Sequence, residues 1–203
     1  MPSNIRAITV YCSSSSDLAA PYLRAGAELG AAIARAGWTL VYGGNRIGLM
    51  GIVADAARAA GGPVVGITPQ LMLDHGIGDD RCDELVVTAG MRERKALLEQ
   101  RGDAFVALPG GLGTFEELFE VLVGRLLGYH GKPIVLLNVA GYYDRLIAAV
   151  EHGIEEGFIK AKSREAWMIA PDVETAMDYL RSAPPPAPPA PASPAGAEPS
   201  AME

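Results

Sequence analysis

Cysteine, histidine and aromatic residues are scarce in this chain of 203 residues, which carries two Cys, three His and 6% Phe, Trp and Tyr together. Cys12 and Cys82 lie far apart with no Cys or His at metal-ligand spacing, and His75, His130 and His152 form no His-x-x-x-His or His-Glu pair. The pattern predicts small, half-buried thiols and no metal. A net charge of −7 without a long basic stripe excludes a general nucleic-acid footprint, so an anionic ligand needs a locally positive site. Apolar runs such as 62–68 and 133–139 are strand-length, short of the ~20 residues that span a bilayer. A strand-like run begins at Ala7, where a secretory signal would still be in its apolar core. The expectation is a cytoplasmic protein with no membrane partner and no nucleic-acid partner.

What is present is an alternation of strand-like and helix-like segments. Strands are expected near 7–11, 39–42, 63–68, 84–88, 104–108, 133–138 and 167–170, and helices near 21–36, 49–60, 91–100, 114–127, 142–156 and 173–180. This is the pattern of an α/β fold, a mainly parallel sheet with helices on both faces. With 49% hydrophobic residues the length suits one buried domain, expected over 1–182. From 183 to 203 the sequence collapses to Pro, Ala, Ser and Gly and holds eight of the 15 prolines, the composition of a disordered or polyproline-like tail.

In such a fold ligands bind at the carboxyl ends of the strands, where strand order reverses. Three loops fall at that edge. One is Cys12-Ser-Ser-Ser-Ser-Asp17, rich in hydroxyls, and a second is the glycine-rich stretch from Tyr42 to Gly51. The third, Pro109-Gly-Gly-Leu-Gly-Thr-Phe-Glu-Glu117, follows an apolar run and opens a helix. Gly110, Gly111 and Gly113 allow backbone N–H groups to turn toward an anion, and Thr114 is expected to cap the helix, whose positive end adds to the attraction. A Walker loop is excluded because no Lys occurs between Pro109 and Lys132. The dinucleotide fingerprint is excluded because Glu116 stands where its third glycine belongs.

Met91-Arg-Glu-Arg-Lys95 opens a helix at the same edge, with Arg92 and Lys95 on one face and Arg94 on its flank, an arrangement able to offer two or three cations to one anion. Thr114 and Glu117 fit a capping box, which would give Glu117 a purely structural role. Alternatively, the helix N-terminus and a nearby arginine keep Glu116 or Glu117 ionised, which suits water activation or stabilisation of a developing cation.

The segment Pro109–Glu117, preceded by Arg92-Glu-Arg-Lys95, resembles the signature of the Lonely Guy family, the cytokinin riboside 5′-monophosphate phosphoribohydrolases. Val10-Tyr-Cys-Ser-Ser-Ser15, Gly48-Leu-Met-Gly51 and the stretch from Lys132 to Tyr143 are similar to that family as well, so the resemblance covers roughly residues 5–181. It implies a Rossmann-like three-layer fold, a homodimer or larger assembly, no cofactor, and hydrolysis of the N-glycosidic bond of an N6-modified AMP to free base and ribose 5-phosphate. By the same resemblance Arg94 and Glu117 are the catalytic pair, while Arg94, Lys95, Gly110, Gly111, Leu112, Gly113, Thr114 and Glu116 contact the nucleotide monophosphate. The segment 71–83 is expected to shape the purine pocket. Asn45 stands where members often have a third glycine, and Val123 where some have Thr. The family has also carried a lysine decarboxylase label, but nothing in the sequence marks a Schiff-base lysine. The alternatives are a broader AMP nucleosidase and a non-catalytic nucleotide-binding protein on the same fold.

Overall fold

All residues of the segments 64–69, 104–107 and 134–137 are buried, which is why they read as unbroken apolar runs rather than alternating ones. The computed structural model describes residues 4–184, and among these seven strands are hydrogen-bonded in one sheet. In chain order the elements are β1 (Ala7–Tyr11), α1 (Ala20–Arg35), β2 (Thr39–Tyr42), α2 (Gly48–Ala59), β3 (Val64–Pro69), α3 (Gln70–Asp74) and β4 (Glu84–Thr88). There follow α4 (Met91–Arg101), β5 (Ala104–Ala107), α5 (Leu112–Leu126), β6 (Ile134–Leu137), α6 (Asp144–Glu155), β7 (Met168–Ala170) and α7 (Val173–Ser182). The strand order is β4-β3-β2-β1-β5-β6-β7 and every neighbouring pair is parallel. The chain therefore winds outward from β1 in one direction, returns, and continues from β5 in the other. Between β1 and β5, where Val10 lies level with Val106, the sheet has its switch point.

Two apolar layers cover the sheet. One packs α1, α2 and α7 on it, with Leu29, Ile33, Val53 and Leu180 fully buried among Ile8, Leu40 and Val106. The other packs α4, α5 and α6, with Leu98 and Leu118 against Phe105, Val41 and Leu136. A buried side chain of this size contributes about 1.5–3 kcal/mol. This is the expected three-layer Rossmann-like fold.

The expected elements are present, with shifted boundaries, one added α-helix and 3₁₀ turns at Val139–Gly141 and Ala161–Ala166. Helix α5 starts two residues earlier than 114, α6 starts at Asp144 because a short 3₁₀ turn at Val139–Gly141 precedes it, and the one-turn α3 was not foreseen. No helix among the described residues is long and apolar enough to cross a membrane. Of the expected Pro/Ala-rich tail, residues 185–203 lie outside the described range.

Candidate active site

The loops after β1, β2 and β5 meet at the switch point and enclose a cavity of about 490 Å³. Ser13, Ser14 and Ser15 line it from the first loop, and Gly43, Asn45 and Ile47 from the second. Gly111, Leu112, Gly113 and Thr114 line it from the third, with Glu116 and Glu117 one turn further along α5.

Helix α4 supplies the cation. Its inner face buries Arg94 and Leu98, one turn apart, so the guanidinium is pressed toward the sheet although its neighbours Arg92 and Glu93 are exposed. Nε of Arg94 donates to the carbonyl of Ile67 at 3.0 Å, Nη2 donates to that of Gly43 at 3.4 Å, and Nη1 donates to Oε1 of Glu117 at 3.0 Å. Glycine at 43 leaves room for this contact, since a Cβ there would lie 2.2 Å from Nη2 of Arg94 and displace the guanidinium. With side-chain exposures of 9% and 11%, Arg94 and Glu117 form a buried ion pair at the cavity wall. Such a pair is costly to assemble and more costly to break, which fixes both groups in place.

Several expectations are corrected here. Gly111 occupies the N-cap of α5 with no side-chain cap bond, and Thr114, 4% exposed, is already inside the helix. The capping box therefore does not form, because the carboxylate of Glu117 turns to Arg94 instead. Arg94 is the buried member of its cluster, not a flank residue. Nor does the helix terminus lower the Glu117 pKa overall: burial pushes it up, Arg94 pulls it down, and the balance lies above the ordinary 4.5. Glu117 is thereby better suited to exchange a proton than a solvated glutamate.

Lys95 is bound by carboxylates on the outside of α5, pairing with Glu116 and, at 3.0 Å, with Glu120, which raise its pKa. Among the described residues lining the cavity, Arg94, Gly111, Leu112, Gly113, Thr114, Glu116 and Glu117 are expected site residues, while Lys95 and Gly110 are not in the lining. Cys12 lines the cavity, but burial pushes its thiol well above the usual range, which disfavours the thiolate a nucleophile needs.

Sequence reasoning missed what braces the glycine loop. The carbonyl of Leu108 accepts from the Tyr143 hydroxyl at 2.6 Å, that of Pro109 from the Ser13 N–H at 3.3 Å, that of Gly110 from the Tyr142 hydroxyl at 2.5 Å, and that of Gly111 from the Phe115 N–H at 3.1 Å. The Tyr-Tyr pair was visible as a flanking match, yet nothing local reveals that its hydroxyls reach back more than thirty residues, |i−j| being 35 and 32.

Comparison with known proteins adds to this geometry. A family model described as "Possible lysine decarboxylase" matches residues 50–180. The cytokinin riboside 5′-monophosphate phosphoribohydrolase of Mycobacterium tuberculosis is 42% identical over 88% of this chain and 93% of its own length. That of Rhodococcoides fascians is 43% identical over 87% of this chain and 90% of its own, and LOG5 of Arabidopsis thaliana is 40% identical over 90% and 80%. Among solved structures, the molybdenum cofactor binding protein of Rippkaea orientalis is 25% identical with a TM-score of 0.68, covering 87% of this chain and 96% of that one. For a lysine-directed reaction the cavity offers little, since no lysine is among its described lining residues. The likeness thus spans the signature motif and most of the domain alike, and the chain belongs to the Lonely Guy family, the cytokinin riboside 5′-monophosphate phosphoribohydrolases.

Proposed function

We propose that this protein hydrolyses the N-glycosidic bond of cytokinin riboside 5′-monophosphates, N6-modified AMP, to the free base and ribose 5-phosphate. The observation that carries the reading is the buried Arg94–Glu117 pair beside the glycine loop in a cavity at the switch point. The 5′-phosphate lies at the first turn of α5, against Gly111, Gly113 and Thr114, where unpaired N–H groups and the positive helix end attract it. Binding energy from this remote group positions the sugar. The base departs with the bonding electron pair and leaves an oxocarbenium-like ribosyl cation, which the Glu117 carboxylate stabilises. The same carboxylate takes one proton of the attacking water, whose oxygen bonds to the anomeric carbon, and that proton balances the one the departed base gains. Arg94 orients that carboxylate and keeps it charged until the water is deprotonated.

The reading extends to assembly. Helix α5 and the loop after it leave Val123, Leu127 and Tyr129 respectively 48%, 50% and 70% exposed around a groove that Phe119 also lines. A second copy of the chain covers this face, making a homodimer. Two free thiols suit a reducing cytoplasm.

The test is incubation of the purified protein with isopentenyladenosine 5′-monophosphate and, separately, AMP, with chromatography of base and ribose 5-phosphate. Preferential release from the isopentenylated nucleotide supports the proposal. Equal release makes the protein a broader AMP nucleosidase, and binding without release makes it a carrier or sensor.

A further inference from the structure

Behind the wall opposite the glycine loop lies a charged cluster that the reaction does not use. Asp79, in the segment between α3 and β4, is fully buried, 0% exposed. Its Oδ2 accepts from the Tyr42 hydroxyl at 2.9 Å and from Nη2 of Arg58 at 2.9 Å, and its Oδ1 accepts from Nε of Arg81 at 2.8 Å. Asp55 closes the cluster, pairing with Arg58 at 2.6 Å and with Arg81 at 3.0 Å. Two carboxylates and two guanidinium groups balance, so the buried charge is compensated in place. Burial raises the Asp79 pKa, but the bonds from Arg81, Tyr42 and Arg58 more than offset it and hold the carboxyl at about 2.

The backbone around Asp79 is stitched to the loop after β2. The Asp79 N–H donates to the Gly44 carbonyl at 2.9 Å, the Arg46 N–H donates to that of Ile77 at 2.9 Å, and Asn45 forms an isolated antiparallel bridge with Gly78. Asn45 also accepts from the Thr68 hydroxyl at 3.0 Å. Ile77 and Asn45, the two sides of this stitch, both line the cavity, as does Met72 of α3. The Gly43 carbonyl, one residue from the stitch, accepts from Arg94.

We propose that Asp79 is a positioning residue for base recognition: its ion cluster locks the 75–83 segment onto the loop after β2 and so sets the wall of Met72, Ile77 and Asn45 against which the purine and its N6 substituent pack. The proposal rests on the hydrolase reading above, with the phosphate at α5 and the base across the cavity. Asp79 touches neither the phosphate nor the scissile bond. Its loss therefore weakens binding of ligands that carry a base and spares ligands that lack one.

Arg81→Ala tests this with little risk to folding, because the side chain is 51% exposed and still supplies bonds to Asp79. Asp79→Asn is the companion variant, and Arg81→Lys the conservative one. Losing these bonds raises KM for isopentenyladenosine 5′-monophosphate about fivefold with kcat within about twofold, and Arg81→Lys recovers part of the loss. Inhibition by ribose 5-phosphate, which has the phosphate but no base, stays at the wild-type level. A folded Arg81→Ala with unchanged KM, or with ribose 5-phosphate weakened equally, overturns the proposal. Calorimetric binding of AMP and ribose 5-phosphate is run on the same proteins. A wild type that releases no base sinks the hydrolase reading, while the contrast between the two ligands still decides the role of Asp79. A wild type that binds neither overturns both.

Discussion

Nη1 of Arg94 donates to Oε1 of Glu117 at 3.0 Å, joining α4 to α5 across a span of 23 residues at the wall of the cavity. The guanidinium is held by two backbone carbonyls on its other nitrogens, so it orients the carboxylate rather than following it.

Replacing Glu117 by Gln keeps the shape and removes the charge. Turnover of isopentenyladenosine 5′-monophosphate should fall by at least about 100-fold, the loss expected when a group stabilising a transition-state charge is removed. Nucleotide affinity by equilibrium binding should largely remain. A variant that turns over at the wild-type rate removes Glu117 from catalysis.

The raised Glu117 pKa sets a pH signature. The carboxylate works ionised, so kcat/KM falls as pH drops through its folded-state value, and that limb lies above 4.5. Stability runs in the opposite sense. A folded pKa above the unfolded one means that the contribution of this group is fully present below the unfolded value and is lost as pH rises through the folded one. In denaturation across this window the wild type should lose stability relative to Glu117→Gln as pH rises; an activity limb at or below 4.5 belongs to another group.

Arg94→Lys is not a conservative change. One ammonium cannot reach the carbonyls of Ile67 and Gly43 and the Glu117 carboxylate with the fixed fork that the guanidinium provides. Activity should be lost and stability should drop by about 2 kcal/mol in urea unfolding, as a buried carboxylate loses part of its compensation. Wild-type stability with Lys would show that charge alone suffices.

Two glycines of one loop should part company. A Cβ at Gly110 would meet the Thr114 hydroxyl oxygen at 2.1 Å and its Cβ at 2.6 Å, so Gly110→Ala should cost about 1–3 kcal/mol by forced rearrangement. At Gly113, in the first turn of α5, a Cβ meets nothing within 4 Å. Gly113→Ala should keep or gain stability while raising KM, because the methyl group occupies space on the phosphate side. Thermal melts and steady-state kinetics on both variants check the contrast.

Leu127→Asp places a charge in the exposed apolar face of Val123, Leu127 and Tyr129. Sedimentation should give a dimer for the wild type and a monomer for the variant. A monomeric wild type ends the dimer reading.

The strand run 104–107 and its glycine turn were legible because their signals are local: unbroken burial writes an apolar run, and a tight turn writes glycine. Arg94 and Glu117 were legible as a pair only through the family resemblance, and their direct contact was not readable from spacing. Thr114 and Glu117 are three apart and satisfy a local capping rule, whereas the contact that forms spans two helices. Asp79 was not singled out at all, since its partners Tyr42, Arg58 and Arg81 come from β2, α2 and its own segment. Such a cluster is written in tertiary structure, where single-sequence patterns are silent.

The acceptors of the glycine loop are already committed: four successive carbonyls, from Leu108 to Gly111, take hydrogen bonds from Tyr143, Ser13, Tyr142 and Phe115. A peptide segment whose carbonyls each already accept a hydrogen bond presents mainly its donors to whatever approaches. On the proposed reading, backbone donors of this loop hold the anion in a chain with a net charge of −7, where the one guanidinium among the described lining residues is already matched to a carboxylate. Tyr142 and Tyr143, standing behind the loop, thus occupy two of its four acceptors from a distance in sequence.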